Sequence, residues 1–228
     1  MSLRYYAGAA LLVALSLGAP AHAQFTQIQS ASQLGSADTT LNFTGAGFVA
    51  SPFTQTIGGN TLTFTAASGP FLYLQPSDGM NFDFAAGTNL LETTAGGGAD
   101  GPLIIDFSQG VTEFGLSAQD FASDSEAFSV VAYDGSAAIG GFSTNLVDNS
   151  MGAGTAQFLG GSVAPGQAIT RLSISSVSSE AGAANDFVVG PVSFAAPVPE
   201  ASSSVGFGIL LALGGLAFAV RKRTVFAK

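Results

Sequence analysis

Between residues 24 and 197, apolar side chains tend to fall on every second position. Thr61-Leu62-Thr63-Phe64-Thr65, Asn81-Phe82-Asp83-Phe84, Thr112-Glu113-Phe114-Gly115-Leu116 and Arg171-Leu172-Ser173-Ile174-Ser175 all alternate. A strand turns successive side chains to opposite faces, so period two in Phe, Ile, Val and Thr predicts strands buried on one side. Residues 103–107 and 128–133 are richer in apolar residues and predict strands that are buried more completely. Turn residues separate these runs: Gly58-Gly59-Asn60, Ser77-Asp78-Gly79, Asp134-Gly135, Gly140-Gly141 and Pro165-Gly166. Asp134-Gly135 between two apolar runs is a hairpin signal, because a tight hairpin turn needs positive φ. Gly96-Gly97-Gly98 predicts a flexible loop. No stretch of the body keeps helical spacing over three turns, and no internal repeat is evident. The expectation is an all-β body, a β-sandwich of jelly-roll-like type.

The two ends are different. Arg4 precedes a short apolar run over 7–17, and Ala21-His22-Ala23 gives a small-x-small cleavage pattern. This is the layout of a signal peptide over 1–23, with cleavage between Ala23 and Gln24. Pro20 breaks any helix continuing towards that site. At the other end, 205–220 is uncharged and apolar, and Arg221-Lys222-Arg223 follows at once. Sixteen helical residues reach roughly 24 Å, short of a ~30 Å hydrocarbon core, and the small serines before them extend the span. A transmembrane helix over about 203–220 is expected, with the basic terminus 221–228 acting as stop-transfer signal on the cytoplasmic side. The domain plan is therefore a signal peptide (1–23), a β-sandwich ectodomain (24–196) and a tail (197–228).

Directly before the apolar tail stands Val198-Pro199-Glu200. In that order (short Pro-Glu motif, hydrophobic helix, basic terminus) the tail resembles the PEP-CTERM sorting signals of Gram-negative bacteria. The resemblance implies recognition by an exosortase-type membrane transpeptidase that removes the tail. Val198, Pro199 and Glu200 match the motif at 198–201, whereas Ala201 stands where the family usually has a second proline. Pro197 and Pro199 keep this segment extended, in a form that a protease-like cleft grips. More loosely, 103–194 resembles the jelly-roll ectodomains that often precede such tails. It does so through Ile105-Asp106-Phe107, Phe114-Gly115, the run from Phe128 to Asp134, Phe158-Leu159-Gly160, 169–172 and Asn185-Asp186-Phe187. Gly190-Pro191 replaces the acidic pair with which those domains commonly close.

Charge narrows the partners. Arg171 is the only cation between 24 and 197, against fourteen carboxylates, a net charge of −13. Such a surface repels phosphate backbones, so nucleic acid is not a partner. The implied partners are signal peptidase, the exosortase-type transpeptidase and extracellular polysaccharide.

Side-chain chemistry is sparse. The mature body has no histidine, cysteine or lysine, which removes histidine triads, thiolate chemistry and Schiff bases. A carboxylate pair for glycoside hydrolysis is the remaining enzymatic route, and no spacing singles one out. No enzyme and no cofactor are expected. Asp120, Asp124 and Glu126 are the foremost candidates for a calcium site, followed by Asp78 with Asp83 and by Asn185-Asp186. None of these has the spacing of an EF-hand. Tyr73 and Tyr133 are candidates for a sugar site, and the nineteen phenylalanines read mainly as core. The leading expectation is a non-enzymatic, surface-sorted envelope or matrix protein, associated with biofilm or exopolysaccharide. The alternatives are a carbohydrate- or calcium-binding adhesin module and an acid-pair hydrolase.

Overall fold

The computed structural model describes residues 25–35, 39–67, 71–77, 83–93, 101–120, 125–148, 156–178 and 185–195. The expected signal peptide, sorting motif, membrane span and basic terminus lie outside these residues, as do the triple-glycine loop and Ser77-Asp78-Gly79 beyond Ser77.

Two antiparallel sheets pack face to face as a β-sandwich. Strands are numbered in chain order. One sheet holds β1 (Phe25–Ile28), β2 (Thr39–Leu41), β3 (Gly47–Ala50), β6 (Phe71–Pro76), β7 (Asn89–Glu92), β9 (Glu113–Asp120), β13 (Gln157–Val163) and β15 (Phe187–Ala195). The other holds β4 (Phe53–Ile57), β5 (Asn60–Ala66), β8 (Leu103–Val111), β10 (Ser125–Asp134), β11 (Ala137–Ser143), β12 (Val147–Asp148) and β14 (Ile169–Ser178). The first sheet runs β1-β13-β9-β15-β7-β6-β3, with β2 added beside β15. The second runs β11-β10-β14-β8-β5-β4, with β12 added beside β10. A single 3₁₀ turn at Ala31–Gln33 is the only helical element among the described residues.

Alternation sets the core. Leu62 and Phe64 on β5, Phe114 and Leu116 on β9, and Leu172 and Ile174 on β14 all point between the sheets. Residues 103–107 and 128–133 correct the expectation of fuller burial: both alternate strictly between buried and half-buried. In a two-layer sandwich every strand keeps one outward face, so even Ile104 and Val131 stay partly in water.

The seams between the sheets are closed by aromatic residues. On one side the Phe25 ring stacks on Phe142 of the opposite sheet at 6.3 Å and meets Phe114 at 6.5 Å. It fits because Gly140 and Gly161 present no side chains there: a Cβ on either would land on Phe25. Gly140-Gly141, expected as a turn, is therefore the middle of β11, and its glycines make room for a neighbour. On the other side Phe43 packs edge-on to Phe64 at 5.3 Å, and its carbonyl accepts from Asn89 Nδ2 at 2.7 Å.

The other turn expectations that fall on described residues agree with the structure. Gly58-Gly59 and Gly135 sit at positive φ in the β4–β5 and β10–β11 hairpins, and Gly166 does so between β13 and β14. Asp83-Phe84 is a third correction. The pair lies in a bend outside any strand, and both side chains are buried.

Candidate functional site

That bend shapes the outer face of the eight-stranded sheet. Register aligns one rung across five strands: Phe48 faces Tyr73, Tyr73 faces Glu92, Glu92 faces Val188, and Val188 faces Gln119. Their neighbours in sequence, Val49, Leu72, Leu74, Leu91, Val189 and Ala118, point to the core, so the rung itself points outward. Over the middle of it lies Phe84, packed on Leu90 and Val188 as a small apolar cluster of its own. The bend is tied down on both sides. Asp83 N–H donates to Gln119 Oε1 at 2.5 Å, Ser77 Oγ donates to the Phe84 carbonyl at 3.1 Å, and Gly87 N–H donates to the Ser77 carbonyl at 2.7 Å. Gly190, at the bulge where β15 shifts register, lets the ring seat: a Cβ there would stand 2.6 Å from Phe84 Cε1.

Phe84 divides the face into two surfaces. On one side is a shallow groove of about 190 Å³, walled by Phe84, Phe158 and Leu34 and floored by Gly115, Ser117 and Ser193. On the other are Phe48, Tyr73, Gln75 and Glu92. Phe48 is 67% exposed and meets the Tyr73 ring at a centroid distance of 4.9 Å. Glu92 is only 8% exposed, and Gln75 Nε2 donates to its Oε2 at 2.9 Å.

The candidate sugar tyrosines are not brought together. Tyr73 belongs to this face, whereas Tyr133 on β10 lies on the outside of the opposite sheet, in register with Arg171. Arg171 Nε donates to Asp106 Oδ1 at 2.6 Å. That hydrogen bond, and then the charge behind it, raises the guanidinium pKa above its ordinary value. The stabilisation is present below the ordinary value and is lost only as pH rises through the raised one, so it adds no pH dependence near neutrality. Both partners are well exposed, at 47% and 36%. Asp106→Asn is expected to change stability by less than about 1 kcal/mol in urea unfolding.

The calcium candidates remain apart or undescribed. Glu126 is buried at 1% exposure on the core side of β10, where its carbonyl accepts from Gln157 Nε2. Asp120 ends β9 with its backbone opposite Phe187, and Asp124 and Asp78 lie outside the described residues. Asn185 adopts φ 64°, and its Oδ1 accepts the Ser176 N–H at 3.0 Å, so this amide caps a strand end. Among the described residues, no three His, Cys, Asp or Glu side chains gather as a metal site requires. None of the helical residues described forms a helix long and apolar enough to cross a membrane. Sequence reasoning missed Phe48, Gln75 and Glu92, because only strand register places them beside Tyr73.

Phe25 and Ala195 share one end of this sheet. Phe25 faces Val163, whose N–H donates to the Thr112 carbonyl, and Thr112 N–H donates to the Ala195 carbonyl. The two ends of the body are thus three strand spacings apart, about 14 Å. Val188 and its rung stand seven residues back along β15, roughly 20 Å towards the opposite end. No protein-family model matches the chain, and no curated protein gives a significant match.

Proposed function

We propose that this is an exported, surface-sorted, non-enzymatic protein of the bacterial envelope or extracellular matrix, delivered by a signal peptide and processed or anchored through a PEP-CTERM-like tail. One observation carries most of the weight. β1 opens at Phe25 and β15 closes at Ala195, and these two strand ends lie on one side of the sandwich. A tail that anchors the protein from the Ala195 side would hold the opposite end of the sandwich away from the membrane. The resemblance of Val198-Pro199-Glu200, the apolar run and Arg221-Lys222-Arg223 to sorting signals supplies the rest.

A jelly-roll-like reading of the sandwich is supported by the way the later strands alternate between sheets. β8, β10 and β14 lie in one, and β9, β13 and β15 in the other. The absence of histidine, cysteine and lysine from the mature body favours a structural or adhesive role over catalysis.

Intact mass spectrometry of the protein from its producing cells tests this reading. The expected species begins at Gln24 and ends near Glu200. A species that begins at Gln24 but keeps Arg221-Lys222-Arg223 would replace sorting and release with simple anchoring. Full-length chain in the cytosol, from Met1 to Lys228, would overturn export altogether.

A further inference from the structure

We infer that the outward rung Phe48–Tyr73–Glu92, with Gln75, binds uncharged polysaccharide. The inference deepens the surface reading above and rests on it for access to extracellular glycan. Phe48 is the first observation. Most phenylalanines whose surroundings the structure describes close the core or its seams, yet this one lies 67% exposed on the edge strand β3, beside the half-buried Tyr73. Folding gains little from a ring so exposed. The face of an aromatic ring carries partial negative charge, and it attracts the polarised C–H groups on the flat side of a pyranose.

Glu92 is the second observation. It stands two strands further on, about 10 Å from the Phe48 position at ~4.8 Å per strand. A carboxylate this buried needs fixed partners, and Gln75 is one of them, donating to its Oε2 at 2.9 Å. A carboxylate accepts hydroxyl hydrogen bonds strongly, and its orientation here is set before any ligand arrives. Between ring and carboxylate lies the Tyr73 phenol, which both donates and accepts. A stacking surface flanked by an oriented acceptor suits a molecule with an apolar ring face and a hydroxylated rim.

Charge then selects among polysaccharides. One cation against fourteen carboxylates disfavours uronates and sulfated polymers, while an uncharged polymer pays no such penalty. The rung also lies at the end of the sandwich remote from Phe25 and Ala195, facing the medium if the tail holds the other end.

The test is affinity electrophoresis of the detergent-solubilised full chain in native gels cast with hydroxyethylcellulose, dextran or alginate. Retardation by at least one of the two uncharged glucans, and none by alginate, is expected. Phe48→Ala should weaken that retardation about tenfold, the loss of roughly one stacking contact. Phe48→Trp should retain it. Glu92→Gln tests the acceptor and should also weaken binding, with an unchanged melting temperature showing that the fold survives. No retardation by either glucan, or equal retardation of Phe48→Ala, would overturn the inference. So would a Phe48→Ala effect on oligomeric state alone, which would make β3 a self-association edge. Localisation by cell fractionation is read separately, so a glycan failure with correct export leaves the surface reading intact.

Discussion

Phe128→Ala destabilises the protein by about 3–5 kcal/mol, read in urea as a lower midpoint with an unchanged slope. Phe128 is 1% exposed and meets Phe187 edge-to-face at 5.5 Å with 81° between the rings. The two rings come from opposite sheets, β10 and β15, so the pair joins the layers at the end remote from Ala195. Truncation removes the transfer free energy of a whole phenyl group and leaves a cavity that neither sheet can collapse into, since both are held in register by their neighbours. Against a typical total of about 5–15 kcal/mol, the loss is a fifth or more of the stability. A double-mutant cycle with Phe187→Ala should return a coupling of about 0.5–1.5 kcal/mol for the ring pair itself. A cost for Phe128→Ala below about 1 kcal/mol would mean that the sheets do not close there.

Gly161→Ala is the second large effect, and it acts through β1. Its new Cβ would land on the Phe25 ring, with Phe114 Cε1 3.0 Å away on the other side. Phe25 belongs to a four-residue strand that, among the described residues, pairs only with β13, so it yields before the better-held Phe114. Overpacking of this kind costs about 1–3 kcal/mol. Amide exchange should rise along Phe25–Ile28 more than elsewhere, because an edge strand opens before the sheet does. In a Phe25→Ala background the same glycine substitution should cost much less, since the ring it strikes is gone. Additive costs in the two backgrounds would show that the ring is not seated between Gly140 and Gly161.

Glycine is also where sequence and structure part most clearly. Gly58-Gly59 and Gly140-Gly141 are the same dipeptide. The first makes a hairpin turn at positive φ, and the second lies flat inside β11. Local sequence cannot separate them, because the second pair answers to Phe25 and to the backbone of Val130, more than a hundred and about ten residues away. The alternating runs, by contrast, were legible because period two is a property of each strand alone. Thr61 to Thr65 and Arg171 to Ser175 fall in β5 and β14 as the alternation predicts. Asp83-Phe84 carries the same alternation and forms no strand, since its hydrogen bonds go to Gln119 and Ser77 across the face it covers.

The outward rung was less legible still. Tyr73 could be picked out as an aromatic on a strand. Phe48 precedes it by twenty-five residues and Glu92 follows it by nineteen, and nothing in either segment announces the other. Pairing of β3 with β6 and of β6 with β7 brings them together, and register is a property of the assembled sheet.

The position of β15 also determines how the body resists being pulled. This strand, the last among the described residues, is hydrogen-bonded to β9 on one flank, on both sides of its bulge, and to β7 and then β2 on the other. Tension entering at Ala195 runs parallel to the strand, so the bonds on both flanks bear the load at once and in shear instead of parting one by one as in a zip. A pull on the body at Ala195 is therefore met by a strand that is clamped on both flanks.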